Sequence, residues 1–128
     1  MVMRVYVFAH TWLSPLQKGI QSAHAVAELV HQNNEYVNQW CEDHKTLIIL
    51  EGGNSARMIY LTNLLFNSGE QYADFYEDED SMEGMHTAVA VLAHDHHMES
   101  FDLVRAGFRS SFNEDDIWKH VYNGKLAS

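Results

Sequence analysis

The chain has 128 residues, 46% of them apolar, which is enough for one domain with a buried core. Its net charge is −10 at neutral pH, with 18 acidic residues against 8 basic ones. Proteins that bind nucleic acid usually carry a basic surface that neutralises phosphates, so this balance argues against a broad RNA-binding face. No apolar run approaches the roughly 20 residues that span a bilayer, and we expect no membrane segment.

The N-terminal residues 1–8 are apolar but short, and no small-residue cleavage site follows them. This pattern predicts a first strand rather than a signal peptide. Cys41 is the one cysteine, so no disulfide can form within the chain, and a reducing cytoplasmic compartment is the simplest expectation. Cys41 has no basic neighbour in sequence, which favours an inert thiol over a nucleophile.

A long helix is predicted from Ser14-Pro15, because serine caps the first N–H groups and proline suits the first turn. Apolar residues recur at the helical period as far as about Gln32. A short second helix is plausible over residues 35–41. The apolar run at 46–50 lies between turn signals and predicts a buried strand.

The second half of the chain continues the alternation of strands and helices. Residues 55–67 predict a helix, and residues 71–77 and 86–93 predict two strands that could pair antiparallel. A final helix is predicted from residue 99 to about 108. The tail, residues 110–128, has less pattern, and its apolar residues allow one amphipathic turn or two.

This element order predicts a single α/β domain over residues 1–128. We expect a three-layer fold, in which a four-stranded mixed and largely parallel sheet is covered by helices on both faces.

Three short segments, in this order and spacing, resemble the peptidyl-tRNA hydrolase type 2 family in a short divergent branch. They are Gln21-Ser22-Ala23-His24-Ala25, Phe75-Tyr76-Glu77-Asp78 and Thr87-Ala88-Val89-Ala90. The resemblance covers roughly the first hundred residues. It implies cofactor-free hydrolysis of the ester that joins a peptide or blocked amino acid to tRNA. It also implies a homodimer and contact with the tRNA acceptor end, which the acidic charge balance predicts to be weak.

The resemblance also assigns roles to residues. His24 and Glu77 would handle protons while activated water attacks the carbonyl, and Thr87 would donate a hydrogen bond to the substrate. The implied substrate-binding residues are Gln21, Lys18 and Asp78, and no metal is implied.

Two departures from the family pattern support an alternative. The family's lysine would fall on Gln17, and Lys18 lies one position later, roughly 100° around the helix. The family's Asp-Ala-Gly-Arg-Thr type loop is missing, and its aspartate is replaced by Glu77. The chain could therefore be a catalytically degenerate binding module of the same fold. A third hypothesis is a hydrolase of small nucleotides or aminoacyl esters that uses the same cleft.

Each candidate residue also has a purely structural interpretation. His24 could hydrogen-bond across to the sheet, Glu77 could be a solvated turn carboxylate, and Thr87 suits a strand as a β-branched residue. The acidic residues at 78–80 could hold a hard cation, but a solvated loop is the simpler interpretation. His94-Asp95-His96-His97 contains good transition-metal ligands, yet adventitious metal binding is the favoured interpretation.

Overall fold

The computed structural model describes residues 2–77, 84–108, 112–113 and 116–128. The strands within this part of the chain are Arg4–His10 (β1), Leu47–Gly53 (β2), Tyr72–Tyr76 (β3) and His86–Ala93 (β4). The helices are Pro15–His31 (α1), Glu35–Asp43 (α2), Ser55–Phe66 (α3), Asp95–Arg105 (α4) and Ile117–Tyr122 (α5). None of the described helices is both long and apolar enough to cross a membrane.

Side-chain caps explain where the first three helices begin. The Ser14 side chain accepts a hydrogen bond from the backbone N–H of Gln17, as the Ser14-Pro15 signal predicts. Asn34 and Asn54 cap α2 and α3 in the same way. Each cap satisfies N–H groups that have no partner within the helix.

The fourth helix departs from the sequence prediction, whereas the fifth lies where the tail allowed one or two amphipathic turns. Helix α4 begins at Asp95, four residues before the predicted start, and the ring Nδ1 of His97 accepts the N–H of His94 at 2.9 Å. Imidazole is an uncommon cap, so the sequence pattern missed this start. In the tail, α5 buries Ile117, Trp118 and Val121.

The sheet is mixed, with the strand order β2-β1-β4-β3. β1 pairs in parallel with β2, whereas β4 runs antiparallel to both β1 and β3. The predicted mixed four-stranded sheet is confirmed, and the expected antiparallel pairing of the last two strands is confirmed with it. The prediction of a largely parallel sheet is wrong, because β4 returns between β3 and β1 and leaves one parallel pair.

Helices cover both faces of the sheet, so the predicted three-layer α/β fold is confirmed. On one face, α1 and α2 pack on inward-facing strand residues, and we call this the α1 face. On the other, the α3 face, α3, α4 and α5 enclose a second core. The buried α1-face residues include Val5, Val7, Leu29, Trp40, Ala90 and Leu92. The buried α3-face residues include Phe8, Leu61, Val89, Val91, Phe101 and Trp118.

Two irregularities occur at the end of the sheet where β1 and β2 finish. The pairing of β1 with β2 skips Gly52, where a Cβ atom would lie 2.8 Å from the carbonyl oxygen of Ala9. The pairing of β3 with β4 skips Thr87, since Phe75 lies opposite Ala88 and Tyr76 opposite His86. Such bulges redirect side chains, and the second one leaves Thr87 on the α1 face.

Candidate functional site

A chain of hydrogen bonds links three predicted site residues on the α1 face. The Thr87 hydroxyl donates to Gln21 Oε1 at 2.9 Å, and Gln21 Nε2 donates to Glu77 Oε2 at 2.8 Å. The same amide nitrogen lies 3.2 Å from Gln17 Oε1. We call Gln21, Glu77 and Thr87 the amide network. It joins the middle of α1, the residue after β3 and the bulged start of β4.

The hydroxyl of Thr87 sets the direction of this network. It has one proton to donate, and Gln21 Oε1 at 2.9 Å is a nearer acceptor than the Phe75 carbonyl oxygen at 3.3 Å. The Gln21 oxygen therefore faces Thr87, and its amide nitrogen must face Glu77. Thr87 is fully buried and Gln21 is 1% exposed, while Glu77 is only partly buried. Glu77 is thus the member of the network that solvent can reach.

His24 lies one turn after Gln21 on α1, and its ring contacts Phe75 of β3. Its ring centroid is 4.7 Å from that of Phe75, with the two planes tilted by 56°. Its Nδ1 is buried without a hydrogen-bond partner among the described residues. Phe75 connects the two parts of the site, since its carbonyl lies near Thr87 and its ring packs on His24.

Lys18 is turned toward β2. Its Nζ lies 2.5 Å from Glu51 Oε1 and 3.1 Å from the carbonyl oxygen of Ser128, and the residue is only 6% exposed. Burial alone would raise the pKa of Glu51, but hydrogen bonds from Lys18 and Thr11 outweigh it and hold that pKa below its usual value. The ammonium is therefore neutralised within the protein. Asp78, the other predicted substrate contact, lies outside the described residues.

A cavity of about 590 Å³ opens on the α3 face at the same end of the sheet. Open α/β sheets commonly bind ligands outside the carboxyl ends of their strands, which is where β1 and β2 end here. The lining residues are His10, Thr11, Trp12, Asn54, Ser55, Ala56 and Met85. Sequence reasoning did not single out this cavity, although polar residues directly after two predicted strands were a usable signal.

Hydrogen bonds fix the protonation of His10 in this cavity. Its Nδ1 accepts the backbone N–H of Trp12 at 3.0 Å, so the neutral ring carries its proton on Nε2. That nitrogen lies 2.9 Å from Ser55 Oγ and donates to it. Burial lowers the pKa of His10, which favours the neutral ring. His10 therefore orients Ser55 but cannot accept its proton, so the pair lacks the arrangement of a serine nucleophile and its base.

His86 is a second buried imidazole on this side of the sheet. It is 6% exposed, stacks on Tyr76 at 4.3 Å, and has no hydrogen bond at either ring nitrogen among the described residues. Asp74 Oδ2 lies 3.8 Å from its Nε2. Burial lowers the pKa of His86, and His10 lowers it further, while Asp74 acts in the opposite direction.

The histidines at the start of α4 serve the packing of that helix. His97 caps the helix through Nδ1, stacks on Trp118 at 3.8 Å, and places Nε2 3.6 Å from Glu70 Oε2. Within the described part of the chain, no group of three or more His, Cys, Asp or Glu side chains could hold a metal ion.

Comparison with known proteins adds no family to this picture. No protein-family model matches the chain, and no curated protein matches it. The resemblance of its motifs to the type 2 peptidyl-tRNA hydrolases stays a prediction from the sequence.

Proposed function

We propose that the chain hydrolyses the ester between a peptide or blocked amino acid and the acceptor end of tRNA. One observation carries the proposal. Gln21, Glu77 and Thr87 come from three segments that the resemblance singled out, and they are hydrogen-bonded to one another at one end of the sheet. Their separation along the chain, up to 66 residues, means that no local pattern brings them together.

The burial of the network divides the chemical roles. Glu77, which solvent can reach, would take a proton from the water that attacks the ester carbonyl. The bond between the carbonyl carbon and the ribose oxygen then breaks, and His24 would supply the proton that the leaving hydroxyl needs. Gln21 and Thr87 are too buried to touch a substrate in this structure, so they would act by holding the Glu77 carboxylate in place.

The substitution Glu77→Gln tests the carboxylate while keeping an oxygen that can accept from Gln21. The measurement is the release of the blocked amino acid from diacetyl-lysyl-tRNA. Removal of a general base should lower kcat by roughly 10²–10⁴-fold. Asp102→Asn, which removes an exposed carboxylate on α4, is the matched control and should leave the rate unchanged. The absence of release by the natural protein, or an active Glu77→Gln variant, would contradict the proposal.

A catalytically degenerate binding module is the second candidate, and the environment of Lys18 favours it. The lysine is buried against Glu51 and the Ser128 carbonyl, so its charge is not offered to a substrate. This candidate predicts saturable binding of the same tRNA without release of the amino acid. Under either function we expect a cytoplasmic protein that forms a homodimer.

A further inference from the structure

The exposed indole of Trp12 forms part of the rim of the cavity on the α3 face. Trp12 is 76% exposed, whereas Trp40 and Trp118 are buried. A single exposed apolar side chain is ordinary on a protein surface. Trp12 differs because its ring borders a cavity and its backbone is anchored, since the imidazole of His10 accepts its N–H. The indole is therefore presented on a fixed segment beside an open space.

The cavity also contains one oriented hydrogen-bond donor. His10 is 5% exposed, and its Nε2–H donates to the hydroxyl oxygen of Ser55. The Ser55 hydroxyl proton is then left to donate elsewhere, and no described residue accepts it. Ser55 itself is exposed to solvent. A ligand atom that accepts a hydrogen bond would satisfy this donor.

The charge around the cavity does not suit a polyanion. Arg57, two residues after Ser55 on α3, donates through Nη1 to the carbonyl oxygens of Glu51 and Gly52. The chain as a whole carries a net charge of −10. An uncharged ligand is favoured, and its recognition would come from stacking and hydrogen bonding.

We propose that this cavity binds an unpaired purine base, which stacks on Trp12 and accepts a hydrogen bond from the Ser55 hydroxyl at a ring nitrogen. Bases stack on aromatic side chains because every base has a π face. Purines also carry acceptor nitrogens in the plane of the ring. The proposal goes beyond ester hydrolysis, because a nucleoside site does not require that any ester be cleaved. Where the proposed function holds, the base would belong to the end of the tRNA acceptor strand.

Calorimetric titration with adenosine alone tests the proposal, so its result does not depend on hydrolysis. We expect saturable binding at millimolar concentration or below. Trp12→Ala should weaken it roughly tenfold or more, and Trp12→Phe should retain most of it. Ser55→Ala should weaken it several-fold. Phe66→Ala is the matched control, since Phe66 is 75% exposed at the opposite end of α3, and it should have no effect.

Two further titrations identify the part of the ligand that is recognised. AMP should bind about as tightly as adenosine, and ribose 5-phosphate should not bind measurably. Adenosine binding that is absent, or that survives Trp12→Ala in a folded variant, would overturn the proposal. Binding of ribose 5-phosphate as tightly as AMP would overturn it too, because the phosphate would then be the recognised group. Binding that is unchanged in Ser55→Ala would rule out the hydrogen bond.

Discussion

Two groups at the same end of the molecule, the amide network on the α1 face and His86 on the α3 face, differ in how their buried polar atoms are paired. On the α1 face, the amide network pairs each buried polar group with a partner at 2.8–2.9 Å. On the α3 face, His86 is buried to a similar degree, yet neither of its ring nitrogens forms a hydrogen bond with a described residue. The donors of the amide network are neutral groups, whereas the imidazole of His86 can gain a proton when the pH falls.

The amide network and His86 should therefore affect the stability of the folded protein in different ways. A buried polar group that has a partner is costly to change, because its loss strands the remaining partner in a medium of low dielectric constant. A buried polar group without a partner already destabilises the folded protein, so replacing it with an apolar group should cause little further loss of stability. The amide network should therefore contribute to stability at neutral pH, whereas His86 should detract from it, most strongly in acid.

The largest effect is expected from Thr87→Val. Valine has nearly the same shape, but it cannot donate to Gln21 Oε1, which stays buried without its partner. We expect a loss of about 1–3 kcal/mol in the free energy of unfolding, measured by urea denaturation. Hydrolysis should fall as well, because the Gln21 amide would no longer be held toward Glu77.

Thr62→Val is the matched control for this substitution. Its hydroxyl donates to the Met58 carbonyl one turn back on α3, a bond that adds little to a helix. The expected change is below about 0.5 kcal/mol. Equal losses for the two valine variants would mean that Thr87 contributes no more than any helical threonine.

His86→Phe should have a smaller effect, of opposite sign. Phenylalanine keeps a planar ring to stack on Tyr76 and removes two polar atoms that have no described partner. We expect it to be neutral or to stabilise the protein by up to about 1 kcal/mol at pH 7. A loss comparable to that of Thr87→Val would show that the imidazole makes a favourable contact, with Asp74 as the nearest charged group.

In the same variant, the free energy of unfolding should decrease less as the solution becomes acidic. Burial lowers the pKa of His86 in the folded protein below its ordinary value of 6.5, so the unfolded chain binds more protons as the pH falls below 6.5. The free energy of unfolding therefore decreases as the pH falls below that value. It stops decreasing once the pH is below the pKa of His86 in the folded protein. His86→Phe removes this contribution, while those of His10 and His94, whose pKa values are also lowered, remain. Urea denaturation at pH 7.5 and 5.0 measures the change, and an undiminished loss would contradict it.

Local signals in the sequence were enough to predict most of the fold. The Ser14-Pro15 helix start and the apolar strands each depend on neighbours within a few residues, and the structure has both. The strand order was harder, because the return of β4 between β3 and β1 is a choice among long-range pairings. The start of α4 was missed because an imidazole takes the place of the usual cap.

The candidate site shows a sharper limit. Gln21, Glu77 and Thr87 could be predicted as site residues from the sequence. The direction of the Thr87 side chain could not, because it depends on a bulge that no short pattern encodes. Lys18 illustrates the same limit, since Glu51 lies 33 residues away and the position of Ser128 depends on how the tail packs. The resemblance implied that Lys18 contacts the substrate, and no residue near it in the sequence indicates that Glu51 engages it instead.

The smallest effect is expected for the salt dependence of any tRNA binding, which should be shallow. One cation on each face of the sheet is already engaged: Lys18 by Glu51, and Arg57 by the carbonyls of Glu51 and Gly52. Each phosphate that a protein neutralises adds roughly 0.7–0.9 to the slope of log K against log salt, so contact with one or two phosphates gives a slope below about 2.

Filter binding at several salt concentrations measures this slope. Lys18→Met should leave it unchanged, since that charge does not reach the ligand, whereas replacement of a lysine that contacts phosphate would lower it by about 1. A slope near 5 would mean that six or more phosphates are neutralised. Basic residues on another surface would then be the main tRNA contact, and neither face at this end of the sheet would account for binding.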